Sequence, residues 1–388
     1  MDRSRFTEKA TGRLVRTEVP LKDWAFVPNR LPPKWDFDIK LWPLLAEAKE
    51  ALGTLNGIGQ TLSDPHLLLR PLQSREAIAS SSIEGTYVTP EQLLLYELNP
   101  RDPKSAHDRV ADWHEVLNYA KALEHGCKML DTLPVCNRVI LQMHGILMRG
   151  VRGWNKSPEQ FRRCQVQIGS SGRFIPAPWT EVEPLMGDLE QYINSDDDPL
   201  DSLVRSYIVH YQFEAIHPFM DGNGRVGRCL LALMIYKTSG HVLPWLYMSA
   251  FYERYREEYV NNLFAVSAEG AWDRWIEFCL RGTIAQANDS IWRCNQFNRL
   301  RLEFHARLDA HSPRTHPLVE SLFKSPVIDI PSIARQFGIT YATAREDIRR
   351  LVKAKILYEM EDHRPKSFFS PEIMRIAYGE SHADDAAD

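Results

Sequence analysis

The chain has 388 residues, of which 44% are hydrophobic and 25% charged, which excludes general disorder and supplies at least one well-buried core. Its 47 basic and 51 acidic residues leave a formal charge of -4, excluding a chain devoted mainly to neutralising phosphates while leaving room for a local basic face. Six cysteines form no C-x-x-C pair, and no apolar run approaches the ~18–20 residues that cross a bilayer, so a soluble, non-membrane protein of the reducing cytoplasm is expected.

In chain order, the first 40 residues read as a turn-rich strap. Pro28, Pro32 and Pro33 limit regular structure, while Trp24, Phe26 and Trp35 can dock the segment on a larger core. Apolar positions 44, 45, 48, 52 and 55 predict a helix from Leu41, which the glycines at 57 and 59 weaken. Further helices are expected over 72–84, ended by Gly85, and over 107–125, 134–149 and 180–193, with Pro134 in a first turn and Gly150 beyond a last one. Residues 166–176 carry two short extended arms around a Gly/Ser turn, the pattern of a surface hairpin. Such a hairpin can simply join helices, or offer its backbone to an extended partner chain.

Helices at 203–213 and 226–236 flank a polar break, and the second is apolar on more than one face, as a central helix must be. Others follow up to Asn262 and over 272–295. After Pro313 and Pro317, short helices at 318–324, 330–337 and 341–355, with Gly338 and Thr340 between the last two, predict a helix-turn-helix, and 358–369 a small wing. With ten Lys/Arg against eight Asp/Glu over 317–377, this C-terminal winged-helix module suits DNA contact or protein contact. The fold class is mainly α, in three parts: a strap and helical region at 1–99, a helical core at 100–311, and a winged-helix domain with a short acidic tail at 312–388.

The chemistry concentrates in His217-Pro218-Phe219-Met220-Asp221-Gly222-Asn223-Gly224-Arg225-Val226-Gly227-Arg228. Glycines permit close backbone approach, Asn223 can cap the following helix, and first-turn amides receive an anion. Arg225 and Arg228, three apart, present forked donors to successive phosphates. Asp221 offers an oxygen to Mg²⁺, whose shell a nucleotide's own phosphates complete. His217 can take a hydroxyl proton. No Walker sequence is present, which disfavours an ordinary P-loop ATPase.

This string resembles the Fic-domain family, whose pattern H-P-F-x-[D/E]-G-N-G-R-x-x-R is matched at every specified position. The resemblance implies a Fic-type helical bundle that transfers AMP from ATP to a Tyr, Ser or Thr hydroxyl of a target protein, or of the enzyme itself, releasing pyrophosphate. It implies His217 as base, Phe219 as the loop's apolar anchor, Asp221 on Mg²⁺, Gly222, Asn223 and Gly224 in the anion-binding turn, and Arg225 and Arg228 on the donor phosphates. The 166–176 hairpin resembles the family's target-docking flap, Tyr252 and Asn262 fall where relatives build an adenine pocket, and homodimerisation is compatible with the likeness.

Upstream, Ser80-Ser81-Ser82-Ile83-Glu84-Gly85 matches the family's autoinhibitory pattern [S/T]-x-x-x-E-[G/N]. A Glu84–Arg228 pair would occupy the guanidinium that the outer phosphate needs. Two alternatives stand beside transfer: removal of AMP from modified protein, with Glu84 positioning water, and a nucleotide-sensing DNA-binding regulator with little catalysis.

Overall fold

The computed structural model describes residues 1–17, 22–61, 66–104, 108, 110–151, 157–169, 174–195, 198–238, 240, 243–308, 314–361, 363 and 365–379. The tip of the expected hairpin, the 309–313 junction and the 380–388 tail lie outside them.

The strap is more regular than its turn-rich sequence suggests. β1 (Gly12–Thr17) and β2 (Asp23–Pro28) pair antiparallel, Gly12 opposite Pro28. The prolines that argued against regular structure fall at the end of β2 or beyond it, where a missing donor costs the ladder nothing. The ribbon is pinned to the body by the amides of Thr7 and Thr11, which donate to the carbonyls of Ala268 and Ser267, and by the indole of Trp35, which donates to Asp273.

Among the described residues, eleven helices then form the bundle: α1 (Trp42–Thr61), α2 (His66–Ile83), α3 (Pro90–Leu98), α4 (Val110–Met129), α5 (Asn137–Leu147), α6 (Trp179–Ile193), α7 (Ser202–Ile216), α8 (Asn223–Thr238), α9 (Ser249–Arg254), α10 (Arg256–Glu269) and α11 (Trp272–Ala306). α1 runs through both glycines expected to weaken it. A Cβ on Gly59 would lie 2.6 Å from the Trp245 ring nitrogen, so the glycine is there to let α1 approach that indole. α2 starts earlier than expected and carries Pro71 inside; α5 starts at Asn137, leaving Pro134 outside the first turn. α3, absent from the sequence reading, is opened by a reciprocal capping box between Thr89 and Gln92.

α8 is the centre, packed by α2, α4, α5 and α7. Its residues from Val226 to Ile235 are buried on every face, which is why its sequence lacks one apolar stripe. Beyond the bundle come α12 (Thr315–Lys324), β3 (Val327–Asp329), α13 (Ile330–Phe337), α14 (Tyr341–Lys353), β4 (Tyr358–Glu359), β5 (Ser367–Phe369) and α15 (Pro371–Tyr378). The strands form one antiparallel sheet in the order β3-β5-β4. Gly338 at φ +62° and the Thr340 side chain set the tight turn between α13 and α14. α12 and α15 pack on α2, and α15 also on α11. The unanticipated α15 is held by Arg293, which donates to the carbonyls of Ile376 and Gly379 and to the buried Asp289; Asp289 also pairs with Arg75 of α2. No helix among the described residues is long and apolar enough to cross a membrane.

Candidate active site

The site is assembled where α7 stops and α8 starts. His217 ends α7 with left-handed angles, φ 53° and ψ 62°, a conformation that costs a non-glycine residue roughly 1–2 kcal/mol. Arg162, 2% exposed, holds that corner. Its guanidinium donates to the carbonyls of His217 (2.8 Å), Cys164 (3.0 Å), Ile216 (3.3 Å) and Ala177, and its amide to that of Pro218 (2.8 Å). Burial lowers the Arg162 pKa to about 10. Sequence reasoning missed this residue, since nothing local links position 162 to position 217.

The loop closes on Phe219, which is fully buried and stacked on the His144 ring with centroids 3.8 Å apart. His144 in turn bonds the Asp221 carbonyl and accepts from the Glu159 amide. Burial, then the Arg225 charge, pushes its pKa down to about 4 despite the Asp221 contacts. Asn223, expected to cap α8, is instead its first residue. Its side chain accepts from the Phe219 amide (2.7 Å) and donates to the Phe219 carbonyl (2.8 Å), bracing the loop across its mouth. Gly222 sits at φ +78°, which favours glycine. The Asp221 carboxylate accepts from the Gly222 amide at 2.7 Å and lies 3.7 Å from Arg225.

The two arginines part company. Arg225 turns to α4, where its guanidinium lies 2.6 Å from Glu115, a carboxylate that also accepts from Thr86. It does not border the cavity: expected on neighbouring parts of one helical face, the two arginines diverge because a buried acid on α4 draws Arg225 to itself. Arg228 turns to the end of α2. It donates to the Ser80 hydroxyl (2.8 Å), the Ser80 carbonyl (2.9 Å) and the Glu84 carboxylate (2.8 Å). Burial, the largest single influence, works against ionisation of Glu84, but the charge and hydrogen bond of Arg228 together with the Arg225 charge outweigh it and hold the carboxyl below its usual range. A Cβ on Gly224 would fall 2.2 Å from the Glu84 oxygen, so the carboxylate rests on the first turn of α8, where the sequence predicts an anion.

Around this pair lies a cavity of about 510 Å³, bordered on its polar side by Glu84, Glu214, His217, Gly224 and Arg228. Its apolar side is built by Ile168, Phe174, Tyr259, Val260, Leu263 and Phe264. Ile168 and Phe174 form an antiparallel bridge, so the expected hairpin contributes one closed rung at the rim. Burial, then the Arg162 charge, lowers the His217 pKa to about 4, leaving a neutral imidazole at neutral pH.

Tyr252 and Asn262 do not border this cavity. Tyr252 is buried, stacked 4.3 Å from the Tyr259 ring, which stands on the cavity wall in its place. Asn262 is buried and accepts from Arg274 at 2.6 Å. An aromatic near the right stretch of sequence cannot disclose which helical face it takes.

A helical bundle built around this loop is matched by known proteins. Residues 42–128 fit the description Fic/DOC family N-terminal and residues 134–235 the description Fic/DOC family, so the chain carries both regions of that family. Glu84 lies in the first region and the 217–228 loop in the second. The chain is 34% identical over 160 residues to Protein adenylyltransferase fic-1 of Caenorhabditis elegans, covering 40% of this chain and 30% of that protein. It is 30% identical over 162 residues to Protein adenylyltransferase Fic of Drosophila melanogaster, covering 40% and 31%. The match thus spans about 30% of the length of these curated relatives. Among solved structures, a Fic family protein from Desulfovibrio desulfuricans G20 shares the fold, with a TM-score of 0.58 at 20% identity over 88% of this chain and 98% of that one.

Proposed function

We propose that the chain is a Mg²⁺-dependent protein adenylyltransferase held in an inhibited state by Glu84. The observation that carries this reading is the single cavity bordered by a neutral His217, the glycine-opened first turn of α8, and Arg228. The names of its relatives and the match to both family regions support it. Arg228 would take the outer phosphate of ATP and the α8 amides its neighbours, while Tyr259, Leu263 and Phe264 offer apolar surface to a base ring. His217 would accept the proton of a target Tyr, Ser or Thr hydroxyl as that oxygen attacks the α-phosphorus and the bond to pyrophosphate breaks. Asp221, half-exposed beside Gly222, fits a Mg²⁺ ligand that needs only one protein carboxylate when phosphates supply the rest. Bound there, the metal would neutralise charge on the leaving pyrophosphate. Arg225, through Glu115 and Asp221, would position the loop.

Glu84 must leave Arg228 before a triphosphate can use it. A charge-assisted hydrogen bond of this kind contributes about 1.5–3 kcal/mol, discounted because Glu84 is 38% exposed. Removing it should therefore raise transfer by about 10–100-fold, since 1.4 kcal/mol is roughly tenfold. Wild type, Glu84→Gly and Glu84→Gly/His217→Ala proteins, incubated with Mg²⁺ and labelled ATP, should give a +AMP product only where His217 is intact, and most with Glu84→Gly. Equal initial rates for wild type and Glu84→Gly would remove the brake, and loss of AMP from pre-modified target without any transfer would make removal the activity.

We read the C-terminal α12–β5 region as a winged-helix module in the third of the three segments expected from sequence. Arg345, Arg349 and Arg350 on α14 are exposed or half-exposed, which suits contact with DNA or an acidic protein. The rung at Ile168 and Phe174 suits docking of a target segment, and the unpaired thiols of six cysteines suit the cytoplasm.

A further inference from the structure

The cavity holds a second carboxyl that the reading above leaves idle. Glu214, on the last turn of α7, has one oxygen buried with no hydrogen-bond partner among the described residues, and so does the Nδ1 of His217. The other Glu214 oxygen lies 4.0 Å from that Nδ1. Its seat depends on another residue of the loop: a Cβ on Gly227 would lie 2.1 Å from the Glu214 carboxyl. A glycine on α8 thus keeps open the space in which an acid on α7 sits beside the ring.

We propose that Glu214 is the positioning residue of the reacting imidazole, closing on His217 Nδ1 when Glu84 withdraws, so that Nε2 faces the acceptor hydroxyl as an unprotonated base. The proposal rests on the reading of His217 as that base. An imidazole can take a proton at Nε2 only if its hydrogen is on Nδ1, and an acceptor at Nδ1 selects that tautomer. The 4.0 Å separation exceeds a hydrogen bond by about 1 Å, a gap of the kind that closes when a substrate fills a site. As the acceptor oxygen forms its bond to phosphorus and the bond to pyrophosphate breaks, the hydroxyl proton passes to Nε2. The Nδ1 proton stays where it is, shared with the Glu214 carboxylate, which balances the charge that the ring acquires.

Glu84 links this pair to the brake. Burial pushes the Glu214 pKa up to about 8; Arg228 opposes the rise and Glu84 adds to it. Departure of Glu84 removes a negative neighbour, so the carboxyl ionises at lower pH and becomes the better acceptor. The other groups facing the pair are Tyr259 of α10, Arg162 behind the ring, and Asp221 in the loop. The Glu214 main-chain carbonyl faces the ring too, and every side-chain substitution leaves it in place.

The test uses the full chain in the Glu84→Gly background, comparing it with added Glu214→Gln and Glu214→Asp. Adenylyl transfer is followed from pH 3 to 9, a range that brackets the His217 pKa of about 4, and the His217 ring is titrated by NMR over the same range without nucleotide. Glu214→Gln is expected to lower kcat by at least about tenfold with KM for ATP unchanged. Its acid limb and the His217 titration should both move to lower pH by about 1 unit, because an opposite charge within ~4–6 Å is lost. Glu214→Asp should restore part of each. An unchanged His217 titration, or a fall in kcat and rise in KM with the acid limb fixed, overturns the proposal. A shifted titration in a protein that transfers nothing leaves the pair standing and removes the adenylyl-transfer reading instead.

Discussion

At the level of single side chains, the loop owes its shape to Arg162 as much as to its own sequence. One guanidinium collects four carbonyls from three stretches of chain. A lysine carries three donors on a point charge and cannot present that planar fork. Arg162→Lys should cost about 1–3 kcal/mol, the penalty for leaving buried carbonyls without donors, and Arg162→Ala more. Urea unfolding with a constant m-value checks this; a loss under about 0.5 kcal/mol would mean that the corner at His217 holds itself. The loop's make-up was legible in sequence because it is contiguous: His217, the glycines and Arg228 fall together within twelve residues. Ser80 and Glu84 were legible because a family pattern joins them to that loop across more than a hundred residues. Arg162, Glu115 and the bracing role of Asn223 were not, since each depends on which surface a helix turns to its neighbours. Glu214 is the intermediate case, three residues before His217 on one helix and so visible as a neighbour, but not as an acid without a partner.

Among the helices, α1 separates propensity from packing within one element. Gly57 has nothing within 4 Å of a built Cβ, whereas Gly59 meets the Trp245 indole. Gly57→Ala should stabilise by about 0.5–1 kcal/mol through the chain entropy of the unfolded state. Gly59→Ala should destabilise by about 1–3 kcal/mol, because a close-packed indole must shift. The two thermal midpoints should move in opposite directions, and a common sign would refute the packing account. The same contrast explains the sequence errors here. Glycine weakens a helix on average, so the expected weakening at 57 and 59 followed the average, while the helix follows the ring it touches. Helices with a strong local signal, such as α6, α7 and α13, were found to within a few residues. β1 and β2 were lost because their order comes from the surface they lie on, and α3 and α15 because each is short and docks on distant chain.

For the molecule as a whole, one continuous apolar core runs from Phe26 through the bundle to Ala377, stitched by the buried Arg75–Asp289–Arg293 cluster. Asp289 is wholly buried between the two arginines, so Asp289→Ala strands their charges. Breaking such a cluster costs about 3–5 kcal/mol. Calorimetry should give one transition for the native chain, moved to lower temperature in this variant; a native profile with a separate transition for the C-terminal region would show that the contacts do not couple the parts. α2 deserves the same view, because its buried residues Leu72, Ala77 and Glu76 lie in the interior, Glu76 accepting from Tyr119 and Ser249. On the proposed reading, the helix that carries Ser80 and leads into Glu84 is a rafter of the building as well as the bolt on its door. Proteolytic trimming could then not open the one without bringing down the other, which leaves an activating signal only the final stretch, from Ser80 to Gly85, on which to act.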